Sequence, residues 1–509
     1  MNSASSNNKR ILKNTIFLYV RMFIILIVAL YTSRIVLQTL GEIDYGIYNV
    51  VGGVVAMLGF LSNTMASATQ RFLSFEIGTG NKDKLQKVFS SSVFLFILFS
   101  LVCLILAETI GLWFVCSKMN IPEERRSAAI FVFQVSVMAF VVSIMRIPYN
   151  ALIIARERMD FYAKISILEV FLKLAIVFIL LTGSIDKLKL YGFLMFAVVL
   201  LVTFGYWIFC RLQFDESKLR LKSHDIEIYK GILSFSGWSL FGSLSNMLMD
   251  QGVNILLNMF FGPAVNAARG IAYQIKAQVM SFVGGFQTAT NPQIIKYYSV
   301  GQIDEMKKLL FRGSKITYYL LLLISLPIII EMEFILDLWL HNTPEWTAIF
   351  ARLVLLIVLV DSLSGCIIPA IQATAKIKWY QINVGITKLL NLPVTFLLFT
   401  MGFNPSYAMI VSIFLNFICL FVRLKELRKH IGVPFADYLK EVVCYDLAVT
   451  LSSITIPAIL FITLQSGLDR FILVCVTSLI CTALSILYIG LKGNEREKII
   501  GLVINKLRR

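Results

Sequence analysis

Long apolar blocks alternate along the chain with short polar connections. Blocks of about 18 or more residues can cross the hydrocarbon layer of a membrane, and the chain has fourteen such candidate helices bounded by charged or turn residues. Their centres lie near residues 26, 58, 100, 140, 172, 200, 245, 284, 322, 360, 390, 415, 455 and 481. The connections are too short to hold a soluble catalytic domain, so any activity is expected within the helical bundle. The pattern predicts an all-α polytopic membrane protein.

The composition agrees with this prediction and explains the net charge. Of 509 residues, 58% are hydrophobic and only 15% are charged, which is too few for the surface of a soluble protein, where about 25% is usual. The two termini and the even-numbered connections hold 33 of the 47 Lys and Arg residues, whereas the odd-numbered connections hold 7 and the spans hold 7. Because basic residues mark the cytoplasmic side, we expect both termini to be cytoplasmic. The net charge of +17 therefore indicates topology, and we expect no nucleic-acid partner.

Other sequence signals are weak. The eight cysteines form no CxxC pair and lie in or beside apolar blocks, so small packing residues are expected rather than disulfides. The three histidines are in separate loops, so neither a metal site nor a catalytic site is predicted. The first apolar run is longer than the core of a cleavable signal peptide, and we expect it to act as a signal anchor.

The sequence contains an internal repeat. An offset of 221 residues brings 41–88 onto 262–309, with Gly41 on Gly262 and Gly80 on Gly301. The same offset places Pro148 on Pro369, and after a short deletion Phe161-Tyr162 meets Trp379-Tyr380. We predict an N-lobe (1–215, helices 1–6), a C-lobe (216–430, helices 7–12), and a segment 431–509 with helices 13–14 and a basic cytoplasmic tail. Both copies begin on the same side, as in parallel-repeat secondary transporters, which predicts a substrate site between the lobes.

Polar residues recur at helical spacing in three spans. Polar groups at membrane depth cost free energy unless they face protein or water, so such stripes indicate cavity-lining faces. The candidates for cavity lining and sugar binding are Ser239, Ser243, Asn246 and Asn254 in span seven, Asn63 and Gln70 in span two, and Gln274 and Gln278 in span eight. The alternative is that these side chains only let helices pack closely and hydrogen-bond to one another. On span eight, Lys276 lies about 200° from Gln274, and which face lines the cavity stays open.

Charged residues also lie within the spans. The basic ones are Arg21, Arg34, Arg146, Lys173, Lys276, Arg352 and Lys388, and the acidic ones are Glu169, Asp250 and Asp361. Arg34 and Arg352 are close enough to span ends to reach the headgroups, and Glu169 and Lys173 have the spacing of an intrahelical pair. A buried carboxylate either pairs with a cation or titrates during coupling to H⁺ or Na⁺. The excess of seven cations over three acids favours a negatively charged substrate.

Three stretches resemble a known family. They are LGEIDYGIYNVVGG (40–53), FFGPAVNAARGIAYQI (260–275) and RIPYNALIIARERMDFY (146–162). Together with the paired six-helix lobes, they resemble the polysaccharide flippase branch of the multidrug, oligosaccharidyl-lipid and polysaccharide (MOP) exporter superfamily, over essentially the whole chain.

The resemblance implies a V-shaped pair of bundles around a central cavity. Such a protein moves a polyprenyl-diphosphate-linked oligosaccharide from the cytoplasmic to the periplasmic leaflet of the bacterial inner membrane, for the synthesis of surface polysaccharides such as the O-antigen of lipopolysaccharide. It implies membrane lipid and the lipid-linked substrate as partners, a polysaccharide polymerase as a candidate partner, and no cofactor. In the peptidoglycan-precursor branch, arginines on helices one, two and eight are associated with the pyrophosphate. Arg21 and Lys276 are comparable, whereas Arg71 lies at the inner end of span two.

These observations assign hypothetical roles to the charged residues. We expect Arg21, Arg146 and Lys276 to contact the diphosphate. Coupling or gating is assigned to Asp250, Asp361, Glu169, Lys173 and Lys388. Alternating access would come from rocking one lobe against the other. The protein is not expected to be an enzyme. The alternatives are a drug or cation antiporter of the same superfamily, and an integral-membrane polysaccharide polymerase.

Overall fold

The computed structural model describes residues 2–117, 122–182, 186–220, 225–340, 343–491 and 496. Within these ranges the chain is helical with no strand, which confirms the predicted all-α class. The helices are α1 (Asn2–Thr79), α2 (Lys82–Leu106), α3 (Leu112–Ser117), α4 (Arg126–Ala155), α5 (Met159–Thr182), α6 (Lys187–Gln213), α7 (Ile226–Phe261), α8 (Pro263–Ser299), α9 (Ile303–Ile330), α10 (Met332–Leu340), α11 (Thr347–Ser362), α12 (Ile367–Ala373), α13 (Lys378–Leu389), α14 (Asn391–Thr400), α15 (Tyr407–Ile431), α16 (Phe435–Tyr438), α17 (Cys444–Thr463) and α18 (Leu468–Ser485).

The described helices include eight that are long and apolar enough to cross a membrane. A ninth span is formed if α11 and α12, which meet at a bend of 41°, are counted together. Thirteen of the fourteen predicted centres fall within helices, and the one near residue 390 lies at the turn between α13 and α14, which together form one span. Two of the centres lie in α1, on either side of a break at Gly41. The chain is a multi-pass membrane protein, while the count of fourteen spans stays a prediction.

The helices form two compact units, unit 1 (Met1–Leu240) and unit 2 (Phe241–Arg509). The division falls inside α7, about two fifths of the way along that helix. The first part of α7 belongs to unit 1 because it packs on α1, where the Phe235 and Phe72 rings are 6.3 Å apart. A Cβ added to Gly231 would lie 3.2 Å from the Phe72 ring, so glycine allows this close approach. The predicted lobes 1–215 and 216–430 and the segment 431–509 stay predictions.

The backbone repeats the register found in the sequence. Gly41 and Gly262 both have positive φ, 78° and 83°, with extended ψ of 169° and −179°. Gly80 and Gly301 follow at the same offset with φ of 74° and 72°. Each pair lies at a helix break that an ordinary side chain would strain.

A third pair lies beyond the short deletion. Glu157 and Ala375, offset by 218 residues, both have φ of 59°. Each stands two residues after a helix end, α4 ending at Ala155 and α12 at Ala373. The internal repeat is therefore present in the conformation of the turns as well as in the order of the helices.

Unit 1 is built around α4. Leu152 and Ile153 are fully buried in its core, and the Tyr149 ring meets Phe89 of α2 at 5.4 Å. The other end of α4 begins next to Arg125. The Arg125 side chain pairs with Asp44 on α1 and lies 3.0 Å from Asp186.

Asp186 also caps α6. Its Oδ1 accepts hydrogen bonds from the Leu188 and Lys189 amides. Partial burial by itself would raise the pKa of Asp186, but the amide hydrogen bonds and the charge of Arg125 outweigh it and lower that pKa below its ordinary value. This carboxylate therefore stays ionised and joins three helices of unit 1 at one end.

In unit 2 the last helix, α18, and the turn after it pack against α9 through charged contacts. Glu331, which follows α9 and is fully buried, accepts a hydrogen bond of 3.0 Å from Arg470 of α18. Lys315 of α9 donates to the Gly490 carbonyl at 3.3 Å. Buried charges with such partners fix one arrangement, because separating them would leave each one unpaired.

Alanine at Gly262 is expected to lower the free energy of unfolding by about 1–3 kcal/mol, because φ of 83° with extended ψ is almost confined to glycine. An added Cβ would have no atom within 4 Å, so the loss would report backbone strain rather than a clash. Unfolding of the purified variant measures it. The control is Gly270, inside α8 and equally open, where alanine should be neutral or stabilising. Equal stability of the two variants would contradict the strain.

Candidate functional site

The polar face of α7 meets the Arg269 face of α8. Arg269 donates to Asp250 Oδ1 at 3.4 Å and to Asn254 Oδ1 at 3.4 Å. The Tyr273 hydroxyl donates to the same Asp250 oxygen at 3.0 Å and accepts from Arg269 at 3.0 Å. The guanidinium also stacks on the Tyr273 ring, 4.2 Å from its centre. The face of α8 that carries Arg269 and Tyr273 therefore packs within unit 2.

A second buried pair follows the same pattern. Arg423 of α15 donates to Asp361 at 3.0 Å and contacts Tyr380 of α13. The arginine side chain is 4% exposed and the Asp361 side chain 40%, and in the first pair the values are 9% for Arg269 and 37% for Asp250. In each pair a buried guanidinium holds an accessible carboxylate. Asp361 lies at the end of α11, just before the bend into α12.

Two lysines complete this cluster. Lys388 donates to Asn246 Oδ1 at 2.7 Å, and Asn246 donates onward to the Gly242 carbonyl at 2.8 Å. The Lys276 ammonium lies 4.9 Å from the centre of the Tyr273 ring and interacts at longer range with Asp250 and Asp361. Among the described residues, neither lysine has a carboxylate within 4.0 Å.

We call this set the unit 2 cluster. Its four cations and two acids give it a surplus of two positive charges, and its members are Arg269, Lys276, Lys388, Arg423, Asp250 and Asp361. The two arginines are neutralised by the two acids. The surplus is therefore carried by the lysines.

A second cationic cluster lies in unit 1. Glu169 is shared by Lys173 at 2.7 Å and Arg146 at 3.4 Å, which confirms the intrahelical Glu169–Lys173 pair expected from their spacing. The Arg146 guanidinium lies 5.6 Å from the centre of the Tyr206 ring. We call Arg21, Arg146, Lys173 and Glu169 the unit 1 cluster, and its three cations and one acid also leave a surplus of two.

Arg21 is the cation of this cluster that no described carboxylate neutralises. Its guanidinium stacks on the Tyr162 ring at 4.6 Å. Its buried Nε has no hydrogen-bond acceptor among the described residues. Arg21 is therefore held by an aromatic contact rather than by a described ion pair.

The predicted cavity-lining residues divide into two groups. Asn246 and Asn254 make the hydrogen bonds given above, as the packing alternative expects. Asn63, Gln274 and Gln278 are exposed, while Gln70 and Ser243 are half-buried. Ser239 is buried, and its hydroxyl has no partner among the described residues. Because an exposed amide in hydrocarbon would be costly, the Gln274 face of α8 is the one open to water or to another polar surface.

Other basic residues differ from expectation. Arg71 is buried and stacks on Phe72 and Phe75, at 4.6 and 5.0 Å, so it is a packed residue rather than a free charge at a helix end. Arg352 pairs with Glu333 and donates to the Ile329 carbonyl at 2.9 Å, which fixes it in protein. The side chain of Arg34 lies outside the described residues.

The sequence prediction missed Arg423 as a member of the unit 2 cluster. It also missed the three tyrosines that contact arginines of the clusters, Tyr162, Tyr206 and Tyr380. Arg423 follows an apolar block, so the sequence pattern places it in a cytoplasmic connection. A usable signal existed for two of the tyrosines, since the repeat aligns Tyr162 with Tyr380. Each of this pair contacts an arginine of its own unit.

The coupling between Asp361 and Arg423 is measurable by a double-mutant cycle. We expect Asp361→Asn and Arg423→Gln to be non-additive in unfolding free energy by about 1–3 kcal/mol, because either change alone leaves a buried polar group poorly paired. The matched control is the Glu305–Lys308 pair, which is 2.7 Å apart with Lys308 72% exposed, where coupling below about 1 kcal/mol is expected. Additive effects at Asp361 and Arg423 would contradict the pairing.

Comparison with known proteins agrees with the all-helical fold described above. Residues 239–397 match the MatE family model, and no curated protein sequence matches the chain. An outward-facing structure of a multidrug resistance MATE family transporter of the MOP superfamily is similar with a TM-score of 0.70 and 15% identity, covering 84% of this chain and 96% of that one. MATE in the bent conformation gives 0.68 and 15%, with 84% and 97% covered.

A third similar structure is a MOP superfamily transporter from Pyrococcus furiosus. Its TM-score is 0.62 at 14% identity, and the match covers 84% of this chain and 97% of that one. That protein is described as having a binding pocket of reverse polarity that suggests a different function. At these identities the similarity establishes the fold, and the chain therefore has the fold of the MATE transporters, with a MatE match that begins in α7 and ends in α14.

Proposed function

We propose that this protein is a flippase that moves a polyprenyl-diphosphate-linked oligosaccharide across the bacterial inner membrane by alternating access, for surface polysaccharide synthesis. The observation that carries the proposal is the surplus of positive charge in the clusters of both units. Cations at membrane depth are costly unless a counter-charge is supplied. A diphosphate is such a counter-charge, and it belongs to the lipid-linked substrate.

The accessible polar side chains suit the saccharide. Gln274 and Gln278 are exposed on one face of α8, and Asn63 is exposed on α1. Amides offer both donors and acceptors, so they can exchange hydrogen bonds between water and sugar hydroxyls at little cost. Arg21, Arg146 and Lys276, predicted to contact the diphosphate, are the cations that we propose for the anionic part of the substrate.

Gating is proposed for the carboxylates. Asp250 and Asp361 are each held by a buried arginine while their own side chains stay accessible. Lys276 interacts with both at longer range. Either acid could therefore turn towards Lys276 and still remain close to its own arginine. Glu169, Lys173 and Lys388 are proposed to take part in the same coupling, with H⁺ or Na⁺ as the coupling ion.

A drug or cation antiporter is the second candidate, and the fold favours it because a similar structure is a multidrug resistance MATE transporter. A cationic drug would be repelled by the surplus charge of both clusters. The Pyrococcus furiosus transporter indicates that pocket polarity differs among proteins of this fold. For these reasons we prefer the anionic, lipid-linked substrate to a cationic drug. We also propose transport rather than enzymatic activity, and a polymerase as a partner.

Removal of single charges tests the proposal. Arg21→Gln, Arg146→Gln and Lys276→Gln are each expected to reduce export at least about tenfold, because each removes a charge-assisted contact. Leaflet-resolved labelling of the lipid-linked oligosaccharide should then show accumulation in the cytoplasmic leaflet.

The control is Lys308→Gln, which removes an exposed charge paired with Glu305 and should export normally. Equal amounts of folded protein in all four variants separate transport from stability. Full export by all three test variants would overturn the assignment. A change in polysaccharide chain length without accumulation of lipid-linked units would point to a polymerase instead.

A further inference from the structure

We propose that Asp446 of α17 is a proton-binding site, and that its protonation decides whether Lys315 of α9 holds the turn that follows α18. Lys315 donates to the Gly490 carbonyl in that turn when Asp446 is protonated, and it pairs with Asp446 when the carboxylate is ionised. The inference goes beyond the proposed function, because α9, α17 and α18 carry no member of either charged cluster.

Asp446 faces the interior of unit 2. The buried residues of α17 recur every three or four positions and so share one helical face. They are Asp446, Val449, Ser453 and Pro457. The opposite face carries Leu447 and Leu451, which are 55% and 67% exposed. One turn beyond Asp446, the Thr450 hydroxyl is 2.8 Å from the Tyr318 hydroxyl of α9, so the face that carries Asp446 packs on α9.

Among the described residues, unit 2 buries three acids, and Asp446 differs from the other two. Glu331 has Arg470 at 3.0 Å, and Glu426 has His430 at 3.3 Å. Asp446 is 1% exposed, and neither of its carboxyl oxygens has a hydrogen-bond partner in the part of the chain that the structure describes. Because an ionised carboxylate is costly in such a place, this arrangement is that of the protonated acid.

The groups around Asp446 are one cation and several phenols. The Lys315 ammonium and the Tyr319 hydroxyl of α9 act on its charge. Tyr318 of α9 and Tyr438 of α16 are close enough to be influenced by it. Within the described ranges, α18, the turn 486–490 and the segment 439–443 contribute no charged group that acts on it. Lys315 is therefore the described cation that can pair with an ionised Asp446.

Lys315 lies between the ends of the last two helices. It is buried and donates to the Gly490 carbonyl at 3.3 Å. Its ammonium is also 5.0 Å from the centre of the ring of Tyr445, the residue before Asp446. A Cβ added to Gly490 would lie 2.8 Å from the Tyr319 hydroxyl, so the turn packs directly on α9. The flexible lysine can therefore serve a carbonyl after α18 or a carboxylate on α17.

One proton changes which of these two partners is better. With Asp446 neutral, the Gly490 carbonyl is the acceptor, as in the structure. When Asp446 gives its proton to water, a charge-assisted bond between Lys315 and the carboxylate replaces the bond to the neutral carbonyl. Lys315 keeps a partner in both states, whereas the Gly490 carbonyl loses its donor. The turn 486–490 is then held less firmly against α9, and pH acts on the end of α18.

Infrared spectroscopy tests the proton site. The full-length protein in phosphatidylcholine nanodiscs is compared with Asp446→Asn. The difference spectrum should contain the carbonyl band of a protonated carboxylic acid at mildly acidic pH, and this band should disappear as the pH is raised. The matched control is Asp469→Asn, which changes an exposed acid of α18 and should retain the band. Absence of the band at every pH, or its persistence at every pH, would overturn the proton site.

Hydrogen exchange tests the switch. The Leu491 amide closes the last turn by donating to the Ile486 carbonyl at 3.0 Å. After correction for the intrinsic effect of pH, this amide should exchange at least about tenfold faster in alkaline than in mildly acidic solution, as loss of one charge-assisted hydrogen bond would give. Asp446→Asn resembles the protonated acid and should exchange slowly at both pH values. Lys315→Met removes the donor and should exchange rapidly at both.

The contrary outcomes are equally defined. A wild-type protein without the pH effect would overturn the switch, and this comparison needs no variant, so it decides the matter even if a variant fails to fold. A pH effect that persists in Asp446→Asn would also overturn it, because another group would then be responsible. Asp469→Asn should behave as the wild type. No substrate enters either experiment, so the outcomes are independent of the proposed function.

Discussion

The cost of placing charge at membrane depth is the constraint on which this structure depends. Water is absent there, so each ionised group needs a partner from protein, substrate or a local water-filled space. The arginines Arg269 and Arg423 meet this requirement through Asp250 and Asp361, with which they form neutral pairs. Asp250 and Asp361 are the two acids of the unit 2 cluster. What remains is positive, and that remainder is the observation on which the proposal of an anionic substrate rests.

The two units share their backbone plan without sharing their charges. Gly41 and Gly262 break the helices in the same backbone conformation. The breaks that follow Pro148 and Pro369 also share a conformation, at Glu157 and Ala375. Such turns are fixed by backbone sterics, which glycine relieves wherever the chain needs positive φ. Side-chain chemistry is not under that restraint. Shared turns with different charges therefore give the two units two different charged clusters on one backbone plan.

The aromatic positions show how the divergence occurs. Tyr162 and Tyr380 are equivalent in the repeat, and each contacts an arginine. The arginines are not equivalent, because Arg21 lies on the first helix and Arg423 lies on α15. In unit 1 the stacked guanidinium has no described carboxylate partner, whereas in unit 2 it is neutralised by Asp361. The same tyrosine position therefore contacts a cation that has no described carboxylate partner in one unit and an arginine of an ion pair in the other.

Local rules explain how far the sequence predicted this arrangement. The helices follow from apolar block length, the breaks follow from the aligned glycines, and the Glu169–Lys173 pair follows from the helical rise. Asp361 and Arg423 are 62 residues apart, and no local rule brings them together. Arg423 also ends an apolar block, where hydropathy cannot separate a buried arginine from a cytoplasmic one. Its partner becomes visible only when α11 and α15 are packed.

The distribution of exposure within the pairs decides which groups can act. Arg269 and Arg423 are nearly inaccessible, so a substrate cannot reach them without disrupting the packing of unit 2. The accessible members of the cluster are the carboxylates and the half-buried Lys276 and Lys388. An approaching anion would be attracted by the lysines and repelled by the carboxylates. The paired arginines offset the charge of the carboxylates and so weaken that repulsion. The buried arginines thus hold the two carboxylates in place, and the lysines supply the net charge of the cluster.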